Sequence, residues 1–130
     1  MGFTRYWDRT DKEINKEFMN DCKKVIGIAE SDYKIKLTRY GQEDENDFPI
    51  ITEEKIMING DAKHSCESLV IDNSDGSDFC KTNGHPYDIV VNVVLKIAEK
   101  HGLVKNIESD GNNEEDKADK LLKKALKITE

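Results

Sequence analysis

The chain lacks a long apolar run. Its longest, Ile89 to Ala98, is interrupted by Asn92 and Lys96 and is too short to span a bilayer, which takes about 20 residues. The opening stretch "MGFTRYWDRTDKEINKEF" has no apolar block after its positive charges, so it does not read as a signal peptide. The residue four places after Gly2 is Tyr6, not the small hydroxyl of an acylation signal. An intracellular protein, cytoplasmic or nuclear, is the expectation. An excess of basic charge is missing as well: 27 acidic against 20 basic residues give a formal charge of −7, which repels phosphate backbones and anionic lipids. The aromatics are not interleaved with arginines as a single-strand binding groove requires. Direct nucleic-acid or membrane binding is therefore not expected. Cysteine is scarce and odd in number, at three, which fits free thiols in a reducing compartment better than a disulfide framework.

Catalytic signatures are also wanting. There is no Gly-rich phosphate loop, no Gly-x-Ser-x-Gly elbow and no His-Glu-x-x-His helix. The zinc-deaminase pattern is absent in both halves. "DNSDGSD" shares only composition with a calcium loop, because its glycine falls one position early and Asn83 stands where the twelfth-position glutamate belongs. No cofactor is expected.

What is present is enough apolar residue, 36% of 130, for one modest core. Thr10-Asp11-Lys12-Glu13 reads as a capping box, and Ile14, Phe18, Cys22, Val25, Ile26 and Ala29 then recur at three- and four-residue steps, the face of an N-terminal helix. Phe3, Tyr6 and Trp7 precede the cap as an aromatic group that packs onto its first turns. "YKIKLTRY", Tyr33 to Tyr40, alternates apolar and cationic residues like a strand with one wet face. "KIMING" supplies a second strand, with Asn59-Gly60 as its turn, and "ESLVID" a third, closed by "DNSDGSD". A three-strand antiparallel meander is predicted.

After Pro86 the residues Ile89, Val90, Val91, Val93, Val94, Leu95, Ile97 and Ala98 cover most of a helical wheel. Their β-branching favours a strand, but the length, Pro86 at the start and Gly102 at the end favour a helix. A helix apolar nearly all round belongs in the centre of the molecule. "VKNI" reads as a short edge strand. The last helix carries Glu114, Glu115 and Asp116 at its start and Lys120, Lys123, Lys124 and Lys127 toward its end, which complements the helix dipole. Its stripe of Ala118, Leu121, Leu122, Ala125 and Leu126 docks on the domain or on a partner. The predicted fold is α+β, with residues 1–108 as a single domain and 109–130 as linker and docked C-terminal helix.

Two clusters could carry chemistry. His64, Cys66, Cys80 and His85 can be drawn as a zinc tetrad, although the spacing fits no common finger. Cys80, His85 and Asp88 can be drawn as nucleophile, base and orienting acid. The alternative for His85-Pro86-Tyr87-Asp88 is helix initiation, with Pro86 in the first turn and Asp88 offering its carboxylate to unpaired amides. For partner binding, "QEDENDFPIITEE" offers Glu43, Asp44, Glu45 and Asp47 without a cation, and the last helix offers Leu121, Leu122 and Leu126.

Asn59-Gly60, Phe79 to Thr82, Pro86 to Asp88 and Ser109 to Gly111 resemble the pattern of a group of small uncharacterised proteins found in phages, large DNA viruses and ciliate Tlr-type mobile elements. The likeness covers roughly the middle half of the chain and is most specific in the Phe-Cys-Lys-Thr and Pro-Tyr-Asp blocks. It departs at His64 and Glu67, which are not adjacent here. The resemblance implies no activity. The expectation is a small acidic, non-enzymatic protein that binds a protein partner or assembles, self-association included; the rival is a cysteine enzyme or zinc-stabilised module using Cys80 and His85.

Overall fold

In a computed structural model, residues 4–42, 46–74, 76–110 and 115–126 are described. The architecture is α+β: among the described residues there are two three-stranded antiparallel sheets and three α-helices. The first sheet has β1 (Thr4–Arg9) in its centre, flanked by β5 (Gly76–Lys81) and β6 (Val104–Ser109). The second runs β2 (Ile50–Ile51), β3 (Lys55–Ile58) and β4 (Leu69–Asp72) in that order. The helices are α1 (Lys16–Asp32), α2 (Asp88–Lys100) and α3 (Glu115–Leu126).

The valine-rich segment is helical and central. Every residue from Asp88 to Leu95, with Ile97 and Ala98, is buried in α2, which packs against α1, α3 and β6. Fully burying a Val, Leu or Ile side chain stabilises the fold by about 1.5–3 kcal/mol, so this helix is a principal hydrophobic contributor. Its stop is the one Gly102 announces. Gly102 takes φ +76, a conformation that costs glycine little, and the Leu103 and Gly102 amides then donate to the Ala98 and Glu99 carbonyls at 2.9 and 3.0 Å. This paired closure satisfies carbonyls that the helix end would otherwise leave open. Its start differs from the expectation. Asp88 does not cap amides; the chain winds in through tight backbone turns, with Asp88 N–H donating to His85 O and Ile89 N–H to Pro86 O.

The first helix begins later than the capping-box pattern predicts. Asn15 is the cap, its Oδ1 accepting from Phe18 N–H at 2.8 Å, whereas Thr10 donates its hydroxyl to Gly102 O at 2.6 Å and ties the end of β1 to the end of α2. The predicted face holds: Phe18, Cys22, Val25 and Ala29 are buried. Of the aromatic group upstream, Phe3 lies outside the described residues, and Trp7 joins the same core as Phe18. Trp7 is buried on β1 beside Arg5 and Arg9, while Tyr6 is exposed and Asp8 half-buried on the other face.

"YKIKLTRY" is not a strand. Ile35 and Leu37 are buried and Lys34 and Lys36 exposed, as alternation demands, but Ile35 N–H is taken by Ala29 O at the helix end. Lys34 there has φ 56. Only Thr38 bridges the sheet, opposite Asn59, and β2 replaces the expected strand beside β3. Nor is Asn59-Gly60 a simple hairpin turn. The Asn59 side chain accepts from Gly60 and Cys66 amides and donates to Cys66 O and Ser68 Oγ, gathering the loop that follows β3. Gly60 is required by proximity, since a Cβ there would lie 2.1 Å from His64 O.

The C-terminal helix docks on the domain. Ala118, Leu121 and Ala125 are buried in the common core and Leu122 and Leu126 pack against it. Lys124 reaches Asp32 of α1 at 2.5 Å, and Asp119 meets Lys96 of α2 at 3.1 Å. No helix among the described residues is long and apolar enough to cross a membrane.

Candidate functional site

The inner face of the first sheet carries two buried arginines, and each is held by oxygen. Arg5 Nε and Nη2 donate to the two Asp88 carboxylate oxygens, both at 2.8 Å, and Thr82 Oγ1 donates to Asp88 Oδ1 at 2.7 Å. This fork geometry combines charge with two parallel hydrogen bonds. Arg9 instead spans carbonyls: those of Asp72, Leu103, Thr10 and Lys12 accept from it. The contact to Asp72 joins the first sheet to the end of β4.

Cys80 lies within this framework and is not poised to attack. Its thiol is buried and contacts Glu67 O at 3.4 Å. Burial, then the Glu67 and Asp88 carboxylates, push its pKa far upward, the opposite of the shift that makes a thiolate nucleophile. Tyr87 OH donates to the same Glu67 carbonyl at 2.6 Å, and burial likewise raises its pKa. Glu67 closes the outer edge of β5, since its Oε1 accepts from Lys81 N–H and its own amide donates to Lys81 O. The Phe-Cys-Lys-Thr and Pro-Tyr-Asp blocks thus supply the buried side chains Cys80, Thr82, Tyr87 and Asp88 to one structural lock.

The drawn catalytic and metal sets do not assemble. Asp88 is engaged by Arg5 and Thr82, and His85 stacks edge-on against His64, with ring centroids 6.1 Å apart. Cys66 is exposed while Cys80 is buried. Among the described residues no three His, Cys, Asp or Glu side chains are grouped to hold a metal ion.

The predicted partner-binding residues divide. Glu43, Asp44 and Glu45 lie outside the described residues. Asp47 is turned inward, a correction to its reading as a free surface charge: its carboxylate accepts from the amides of Arg39, Tyr40 and Gln42 at 2.9–3.0 Å. Burial alone would raise its pKa, and those amides more than offset this, holding it below the usual carboxylate range. Asp47 therefore shapes the loop that carries exposed Tyr40 and Phe48. Leu121 is fully buried and, contrary to the expectation, is not offered to a partner; Leu122 and Leu126 are partly covered by the core.

A surface that the sequence did not single out lies on the outer face of the first sheet. Antiparallel register sets Tyr6 opposite Phe79 and Asp8 opposite Ser77, so side chains paired across strands meet on one face. Tyr6 and Phe79 are 42% and 57% exposed, with ring centroids 6.4 Å apart and a tilt of 39°. Beside them Asp8 accepts from Ser77 Oγ at 2.7 Å and from Asn106 Nδ2 at 2.8 Å. A register shift in the β1–β6 pairing, with Asn106 at φ 55, aims that amide, as bulges commonly re-aim a side chain. The bonds from Asn106 and Ser77 hold the Asp8 carboxyl below its ordinary pKa, so it is ionised at neutral pH. Together these groups, with Asp78 and Glu108, line a depression of about 400 Å³.

No family model, no curated protein and no solved structure matches the chain.

Proposed function

We propose that this is a non-enzymatic binding or assembly protein that engages a protein partner through the outer face of the first sheet. One observation carries the reading: an adjacent, half-exposed pair of aromatic rings, Tyr6 and Phe79, set in a polar frame on that face. Aromatic side chains are enriched where interfaces concentrate their binding energy. The face is prepared on a firm base, since β1 is the central strand and its inner side chains are buried. The buried, proton-retaining state of Cys80 argues against the cysteine-enzyme alternative. The resemblance of the Phe79–Thr82 and Pro86–Asp88 blocks to small phage, viral and mobile-element proteins assigns no activity, so the reading stands on the surface itself.

The test is affinity capture with two baits, wild type and Tyr6→Ser/Phe79→Ser, each shown to have a native circular dichroism spectrum. The reading expects a defined protein held by the wild type and lost from the double variant. Equal recovery on both baits would remove the sheet face from the account.

A further inference from the structure

Resting on that reading, we propose that the depression beside Tyr6 and Phe79 receives a guanidinium side chain from a basic segment of the partner. Two kinds of chemistry meet there. The tilted rings, centroids 6.4 Å apart, offer π faces over which a planar cation stacks favourably, arginine more often than lysine. The walls carry the Asp8 and Glu108 side chains, which the strand register sets on the face of Tyr6, and among the described residues no cationic one lines the depression.

Asp8 is the better-fixed of the two carboxylates. Ser77 and Asn106 each occupy one hydrogen-bonding direction on it, and a carboxylate has about four lone-pair sites, so both oxygens retain capacity for a further donor. Its orientation is set before a ligand arrives, which lowers the ordering cost of binding. Lys105, opposite Asp8 on β6, offsets part of the negative field without lining the depression.

The charge pattern also selects among occupants. A second copy laid face to face would set the same two carboxylates, Asp8 and Glu108, against one another, and like charges juxtaposed across an interface oppose association. An acidic partner is disfavoured for the same reason. With 27 acidic and 20 basic residues in the whole chain, long-range attraction also works toward a basic partner.

The experiment titrates ¹⁵N-labelled protein with Nα-acetyl-arginine methylamide and, separately, with the citrulline analogue, which keeps the shape and loses the charge. Saturable shifts are expected at the Tyr6, Ser77 and Phe79 amides and at the Asn106 side-chain amide. Citrulline should bind at least about tenfold more weakly, the scale of one charge-dependent contact, and Asp8→Asn should weaken arginine binding several-fold. Absence of a saturable shift with arginine, or equal binding of citrulline, overturns the proposal, as does a concentration-dependent dimer abolished by Phe79→Ser. A captured partner released by Tyr6→Ser/Phe79→Ser but held normally by Asp8→Asn would sink the cation and leave the sheet-face reading standing. A partner indifferent to both variants would sink the reading itself.

Discussion

Asp88→Ala is the sharpest test of the claim that the residues before α2 serve architecture. The substitution removes both charge-assisted bonds to Arg5 and the bond from Thr82, three contacts of 2.7–2.8 Å in a buried setting. Removing one partner of a buried ion pair costs about 3–5 kcal/mol, because the remaining charge loses the carboxylate that its fork engages while staying out of water. A domain of this size has a urea m-value of about 2 kcal/mol/M, so the unfolding midpoint should fall by roughly 1.5–2.5 M. Urea denaturation followed by circular dichroism measures it. The companion Arg5→Leu/Asp88→Leu should recover a good part of the loss, since exchanging both ions for apolar groups removes the two buried charges together. A midpoint shift below about 0.5 M for Asp88→Ala would refute the reasoning, because it would mean that the pair contributes no more than a surface contact.

Two further outcomes follow from the same structure. A thiol probe such as Ellman's reagent should modify Cys66 rapidly in the native state, while buried Cys22 and Cys80, whose pKa values burial raises, react only on unfolding; fast modification of Cys80 would reopen the nucleophile reading. Stability should be flat from pH 7 to about 5 and fall below about pH 4, the ordinary range of free carboxyls. The bond from Asn106, then that from Ser77, lowers Asp8; Lys124 lowers Asp32; the amides around Asp47 lower it against its burial. A depressed folded pKa contributes stability that is complete above the unfolded value and is lost as pH falls through the folded one. A urea midpoint unchanged between pH 5 and 3 would contradict this.

The parts of the fold legible in the sequence are those where periodicity and chain punctuation agree. The α2 helix was readable despite its valines, because Pro86 and Gly102 bracket it and its length exceeds a strand's. The α1 face was readable, though Thr10 mimicked a cap that Asn15 provides three-dimensionally. The first sheet was hidden for a physical reason. Period-two reasoning seeks apolar residues pointing inward, and β1 sends Arg5 and Arg9 inward instead, where the Asp88 carboxylate and backbone carbonyls accept from them. In β5 the only buried side chain is Cys80, too little for a pattern. Tyr33–Tyr40 erred in the other direction, since its alternation records which side chains are buried but not whether a neighbouring strand runs alongside. The exposed face is hidden in the sequence together with the sheet that bears it; its local trace is the outward Tyr6 and Asp8 between buried neighbours.

The central claim is that the outer face of β1 and β5 is where the protein meets its partner, while the Cys80–Asp88 region holds the fold. Amide hydrogen exchange, with and without the captured partner, tests this most directly. The account predicts new protection concentrated in Tyr6–Arg9 and Ser77–Lys81, with α2 equally protected in both states. Protection confined to α3 or to the loop bearing Tyr40 and Phe48, with β1 and β5 unchanged, would contradict it.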